Sequence, residues 1–164
     1  MPLSHLLLAS ATLLCALTAG LVFAFAVVVM PGIRALPDRD YLRAFQGMDR
    51  VIQQNDPRFL VVWAGSVVTL LAAVPLNVGS LSGAGAFLLI GAAAAYLLCV
   101  QLPTAVVNVP LNNRLQTLDL DSLDAGALRA ERDAFESRWV YWNTVRTAFA
   151  CVSTAALLIL LLML

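Results

Sequence analysis

Long uncharged runs alternate with short charged ones along this chain, and the lengths of the runs set the fold. Residues 6–30, 59–113 and 147–164 carry no formal charge. A helix rises about 1.5 Å per residue, so about 20 apolar residues cross a hydrocarbon layer about 30 Å thick. The first run is therefore one crossing, and the last, about 27 Å long as a helix, is just enough for another. The middle run is too long for one crossing and suits two. A turn divides it at 75–85, where Pro75, Asn77, Gly79, Ser80, Ser82 and Gly83 cluster. The pattern predicts an all-α fold, a four-helix transmembrane bundle forming a single membrane domain over residues 1–164, with spans near 6–30, 59–75, 86–107 and 142–164. A cleaved leader is the rival reading of the first run. It would need a basic n-region and a short apolar core, and the chain has neither, so that run is expected to remain as a span.

The charged stretches have their own periodicity. At 100° per residue, Tyr41, Leu42, Phe45, Met48 and Ile52 share one arc of a helix starting after Pro37, and Arg39, Arg43 and Arg50 share the other side. This is a short amphipathic helix between spans 1 and 2, expected to end at Asn55-Asp56-Pro57. Asp49 falls inside its apolar arc. A carboxylate there either pairs with a cation or gives up its charge, unless it sits on the flank and reaches solvent. Asp119, Asp121, Ser122 and Asp124 make a capping cluster, after which a helical extension leads into span 4. Within the spans, Ala16, Gly20 and Ala24, then Gly65, Thr69 and Ala72, then Gly91 and Ala95, offer small faces for helix packing.

Composition narrows the function classes. The chain is 61% hydrophobic with a mean hydropathy of +0.86, well above an ordinary soluble domain. Ten arginines balance ten acids, so no polybasic surface is available for nucleic acid. The arginines cluster in the loops at 31–58 and 109–138, and none lies in the 75–85 turn. By the positive-inside rule those loops are cytoplasmic and both termini outside, in a multi-pass protein of the cell membrane. Cys15, Cys99 and Cys151 sit in separate apolar runs, without the close pairing that thiolate metal sites or dithiol redox chemistry require, and read as buried fillers. His5 is the single imidazole, which disfavours a haem.

Two polar stripes interrupt the apolar runs at their cytoplasmic ends. Gln101, Thr104, Asn108 and Asn112 lie on one helical face if span 3 continues through Pro103 and Pro110. Trp139, Trp142, Asn143 and Arg146 share a face of span 4. Asn108 closes one span where Arg146 opens the next, so the stripes lie at one depth and are candidates to face each other. An arginine aimed into a bundle needs polar partners and commonly marks a site. The alternative is equally physical: an interfacial belt of Trp139, Tyr141 and Trp142, Arg146 as an anchor, and the asparagines as hydrogen-bonded packing.

The VMPG at 29–32, FQxxDxxIQ at 45–53, NVPLNxxL at 108–115 and RWxxWNxVRT at 138–147, in that order, resemble the anthrone oxygenase-like family of small four-helix integral membrane proteins. The resemblance implies an oxygenase that works without a cofactor or metal, oxidising a lipophilic hydroxyarene or polyketide-like aromatic substrate with O₂. It suggests Arg146 for the developing oxyanion, Asn108 and Asn143 for orientation, Asp49 as base, and Trp142, Trp139, Asn112 and Gln101 around the substrate. Many members carry a His between the Asn and Arg of the last motif, where this chain has Thr144. The competing expectation is a non-catalytic membrane protein that binds or passes a small lipophilic ligand, or supports a membrane partner. The partners expected are an aromatic substrate and membrane lipid.

Overall fold

A computed structural model describes residues 2–54 and 56–164, so Asn55, at the expected end of the amphipathic helix, lies outside the described residues. Five helical stretches account for nearly all of the described chain, and among those residues there is no strand. They are α1 (Leu3–Ile33), α2 (Asp38–Gln53), α3 (Pro57–Val78), α4 (Gly83–Gln116) and α5 (Ala125–Leu162). All but α2 are long and apolar enough to cross a membrane, and the chain is a multi-pass membrane protein.

The helix ends follow local chemistry. Asp56 caps α3 by accepting from the backbone N–H groups of Arg58 and Phe59, and a hydrogen bond from the Arg58 side chain holds its carboxyl down at about 2. Ser82 caps α4 through the Gly85 N–H, and Asp124 caps α5 through that of Ala127. The turn between α3 and α4 is shorter than the sequence suggested. Pro75 stays inside α3, which runs on to Val78, because a proline in an apolar helix is tolerated where neighbours satisfy the freed carbonyl. Two residues on, Asn77 ties α3 to α1, donating to the carbonyl of Ala73 at 2.8 Å and to that of Ser4 across the bundle at 3.1 Å.

Prolines shape the other spans differently. Three π turns, at Phe25–Val29, Leu97–Gln101 and Thr104–Asn108, each finish just before a proline, at Met30, Leu102 and Val109, whose N–H groups reach back five residues. A proline ring clashes with the carbonyl four residues earlier, and the wider π register relieves that clash without ending the helix. Each π turn also inserts an extra residue, which rotates everything beyond it.

Side chains pack in two clusters. Leu8, Leu70, Leu89, Tyr96 and Leu157 belong to a core in the part of the bundle farther from the charged connections. Tyr41, Leu42, Phe45, Leu115, Phe135 and Trp139 belong to a second one under α2. Of the small faces expected to pack, Gly65 does: a Cβ there would come within 3.0 Å of the Leu14 side chain. Gly20 and Gly91 instead lie open, with nothing within 4 Å of a Cβ. The face of α1 that is buried runs through Leu8, Cys15, Ala19 and Val22. The two charged connections lock together at one end of the bundle. Arg39 donates to Asp121 and to the Leu123 carbonyl, and Arg43 pairs with the same carboxylate. Arg132 bonds Asp38, Glu136 and the carbonyls of Arg34 and Leu36 while lying 4.2 Å over the Tyr41 ring.

A polar cavity beneath the amphipathic helix

The two clusters meet around a cavity of about 280 Å³. Its roof is α2, supplying Phe45, Asp49 and Ile52; its walls are Phe25 of α1, Phe59 and Trp63 of α3, the Thr104–Asn112 stretch of α4, and Trp139, Asn143 and Arg146 of α5. Arg146, only 5% exposed, donates through Nη1 to Thr104 Oγ1 at 2.9 Å and through Nη2 to Asn143 Oδ1 at 2.7 Å. Among the described residues its Nε has no partner, and the guanidinium carbon sits 5.7 Å from the Trp139 ring centre. Thr104 can accept from Arg146 because its own hydroxyl proton goes to the Val100 carbonyl. Among the described residues no carboxylate pairs with Arg146.

Asp49 is 3% exposed, so it does not reach solvent from the flank, and among the described residues it has no cationic partner. Three amides hold it instead. Asn112 donates to Oδ1 at 2.7 Å, and Gln53 and Gln116 to Oδ2 at 2.8 and 2.9 Å. Asn112 is itself fixed, accepting from the Trp139 indole at 2.8 Å. Oδ1 thus takes a single bond and keeps a free lone pair. Gln46 latches the roof by donating to the carbonyls of Leu115 and Leu118, and Gln116 donates back to the Gln46 carbonyl.

The asparagines bridge helices and line the cavity at once. Asn108 donates to the Trp139 carbonyl at 3.3 Å and Asn143 to the Val22 carbonyl at 3.0 Å. The Asn108 Oδ1 is buried without a partner among the described residues. The cavity therefore gathers Arg146, Asn143, Asn108, Asp49, Asn112 and Trp139. It does not gather Gln101 or Trp142. The π turn at Thr104–Asn108 stands between Gln101 and Asn112, and Gln101 itself ends the preceding one, so the α-helical stripe drawn through them loses phase. Trp142 lies at the edge of its arc and turns outward, edge-on to Tyr141 at 5.5 Å. Arg146 also meets Thr104, one turn deeper than Asn108. Thr144, between the Asn and Arg of the last motif, is exposed, and its hydroxyl bonds the Val140 carbonyl of its own helix.

Sequence periodicity did not single out the aromatic lining from Phe25, Phe59 and Trp63, nor the glutamines around Asp49. Gln46 and Gln53 stand three before and four after Asp49, a spacing that signals a shared face. Gln116 has no such signal.

Fold and cavity together define a class: a small four-helix membrane bundle with, toward the end that carries the charged connections, an aromatic pocket with one cation and one carboxylate that do not meet. Residues 57–156 match the family described as Anthrone oxygenase, and the chain belongs to that family. No curated protein and no solved structure matches the chain.

Proposed function

We propose that this protein is a cofactor-independent oxygenase that converts a lipophilic anthrone-like hydroxyarene and O₂ to the corresponding quinone and water. The supporting observation is the pair of buried, oppositely charged groups on one cavity without contact between them. Leaving two such charges apart in a low-dielectric interior costs several kcal/mol, and a ligand that takes charge at one end relieves it. Their anchors, Thr104 and Asn112, are eight residues apart on α4, roughly 12 Å of helix.

An anthrone places its acidic methylene and its carbonyl on opposite sides of the central ring. In this reading Asp49 Oδ1 takes a methylene proton, and the charge that appears on the opposite oxygen meets the Arg146 guanidinium, with Asn143 orienting it. Asn108 positions the ring, while Trp139, Phe45 and Phe25 supply the flat apolar walls. The electron-rich anion gives one electron to O₂, and superoxide recombines at carbon as a hydroperoxide. Proton uptake on the outer oxygen and loss of the second methylene hydrogen release water and leave a carbonyl. One anthrone and one O₂ thus give one anthraquinone and one water. With the arginine-rich face taken as cytoplasmic, the cavity lies in the inner half of the cell membrane.

The test is O₂ uptake by purified protein supplied with an anthrone. Arg146→Ala and Asn143→Ala proteins that still fold should each lose about 100-fold or more of turnover, as expected for an oxyanion contact. Variants as active as the parent would remove both residues from the reaction. Ligand binding without O₂ uptake would instead make this a binding protein.

A further inference from the structure

Most of the polar lining, Asp49, Thr104, Asn108, Asn143 and Arg146, is buried together with Phe45 and Trp139, whereas Ile52, Phe59 and Trp63 are partly exposed and Val109 is 41% exposed. Apart from the partly exposed Asn112, the open side of the lining is thus apolar. Helix packing shows where that side faces. α3 packs along α1, and on α4 it packs along Gly83–Tyr96; past Tyr96 the two helices part, and the gap lies between Phe59 and Trp63 on one and Val109 on the other. The route from water is obstructed differently. α2 lies across α4 and α5, held by the Gln46 latch to Leu115 and Leu118 and by the amides around Asp49.

We propose that the cavity fills sideways from the bilayer, through a mouth between α3 and α4 rimmed by Phe59, Trp63 and Val109, and that what passes is a flat hydroxyarene dissolved in lipid. The choice of ligand class rests on the function proposed above; the route does not. Phe59 and Trp63 stack at 5.7 Å with ring planes 19° apart, giving the mouth a flat face that a planar molecule slides along more easily than a branched acyl chain. An apolar rim in a membrane-spanning segment presents no desolvation barrier to such a molecule, and the polar groups that bind it lie behind the rim.

The experiment uses the full chain in phosphatidylcholine vesicles and 1,8-dihydroxyanthraquinone, which lacks the reactive methylene, as the probe. Binding is followed by quenching of tryptophan fluorescence, since Trp63 and Trp139 line the cavity. Val109→Trp should slow association and dissociation together, each about tenfold, with Kd held within about twofold, the signature of a narrowed passage rather than a lost contact. Phe59→Ala should speed both rates and serves if the bulky variant fails to fold. Gln46→Ala, which loosens the roof, should change neither. The lateral route is overturned if Gln46→Ala alone speeds binding, if the rim variants change affinity through dissociation only, or if the parent protein does not bind the probe. A parent that shows these kinetics but takes up no O₂ with an anthrone keeps the route and loses the oxygenase reading.

Discussion

Arg146 and Asp49 are both held by neutral groups, and that choice of partner keeps each charge available. Had Arg146 met a carboxylate directly, its field would be largely cancelled at the cavity wall; Thr104 and Asn143 fix its orientation and leave its charge intact. The same logic fixes Asp49, whose three amide donors make Asp49→Asn a harsh change. The new side chain brings an NH₂ against amides that can only donate there. We expect it to lose turnover and to lower stability by about 1–3 kcal/mol, read by O₂ uptake and by thermal unfolding in detergent. Tyr41 is a contrasting case. Its hydroxyl is buried without a partner among the described residues, and burial, with Glu136 adding to it, pushes the phenol above the ordinary tyrosine range. A raised value means the folded state favours the neutral phenol, so its contribution is whole below about pH 10 and declines as the pH rises beyond that. Tyr41→Phe keeps the ring under Arg132, removes the unpaired hydroxyl and should gain about 1 kcal/mol at neutral pH. The gain over the parent should widen on going to alkaline pH, and a variant that unfolds at the same temperature as the parent throughout would show the hydroxyl to be satisfied.

At the scale of the element, the prolines of α4 decide which residues reach the cavity. Pro103 and Pro110 each follow a π turn, and the rotation these introduce brings Thr104, Asn108 and Asn112 to the site while Gln101 turns away. Restoring an N–H with Pro103→Ala lets the helix resume α-helical bonding. Helical content by circular dichroism should stay within error of the parent, while probe binding weakens about tenfold because Thr104 no longer meets Arg146 squarely. Unchanged binding would mean that the π register persists without the proline. α2 shows a different principle. Its buried face is not purely apolar but carries Gln46 and Asp49 beside Phe45, so amide bonds and aromatic packing both hold it to the bundle.

For the whole molecule, four crossings and one latched surface helix place every charged connection at one end. Cysteines introduced by Ser80→Cys and Ser122→Cys should therefore be labelled by a membrane-impermeant maleimide from opposite sides of intact cells' membranes, Ser122→Cys only after the cytoplasm is opened. Labelling of both from the same side would break the four-span topology. The arrangement also explains the cavity's position. The core away from the charged end closes on Leu70, Leu89 and Leu157, all fully buried, whereas toward the charged end α3 and α4 diverge and α2 covers only part of the space they leave.

The amino-acid order by itself determined the number of crossings, the amphipathic helix, the charge asymmetry and the two polar stripes, since run length, helical period and the cost of burying charge act along the chain. It marked Arg146, Asn108 and Asn143, because polar residues at helical spacing inside apolar runs stand out. Only the tertiary structure decided that Asp49 is held by Asn112, Gln53 and Gln116, and that Trp139 rather than Trp142 faces inward. It also decided that Thr104 rather than Gln101 meets the guanidinium. The physical reasons are tertiary. On α4 the π turns reset helix rotation by an amount that a fixed 100° per residue does not contain; on α2 and α5, which hold no π turn, the side chain that turns inward and its partners are set by packing across the bundle, which no single segment encodes.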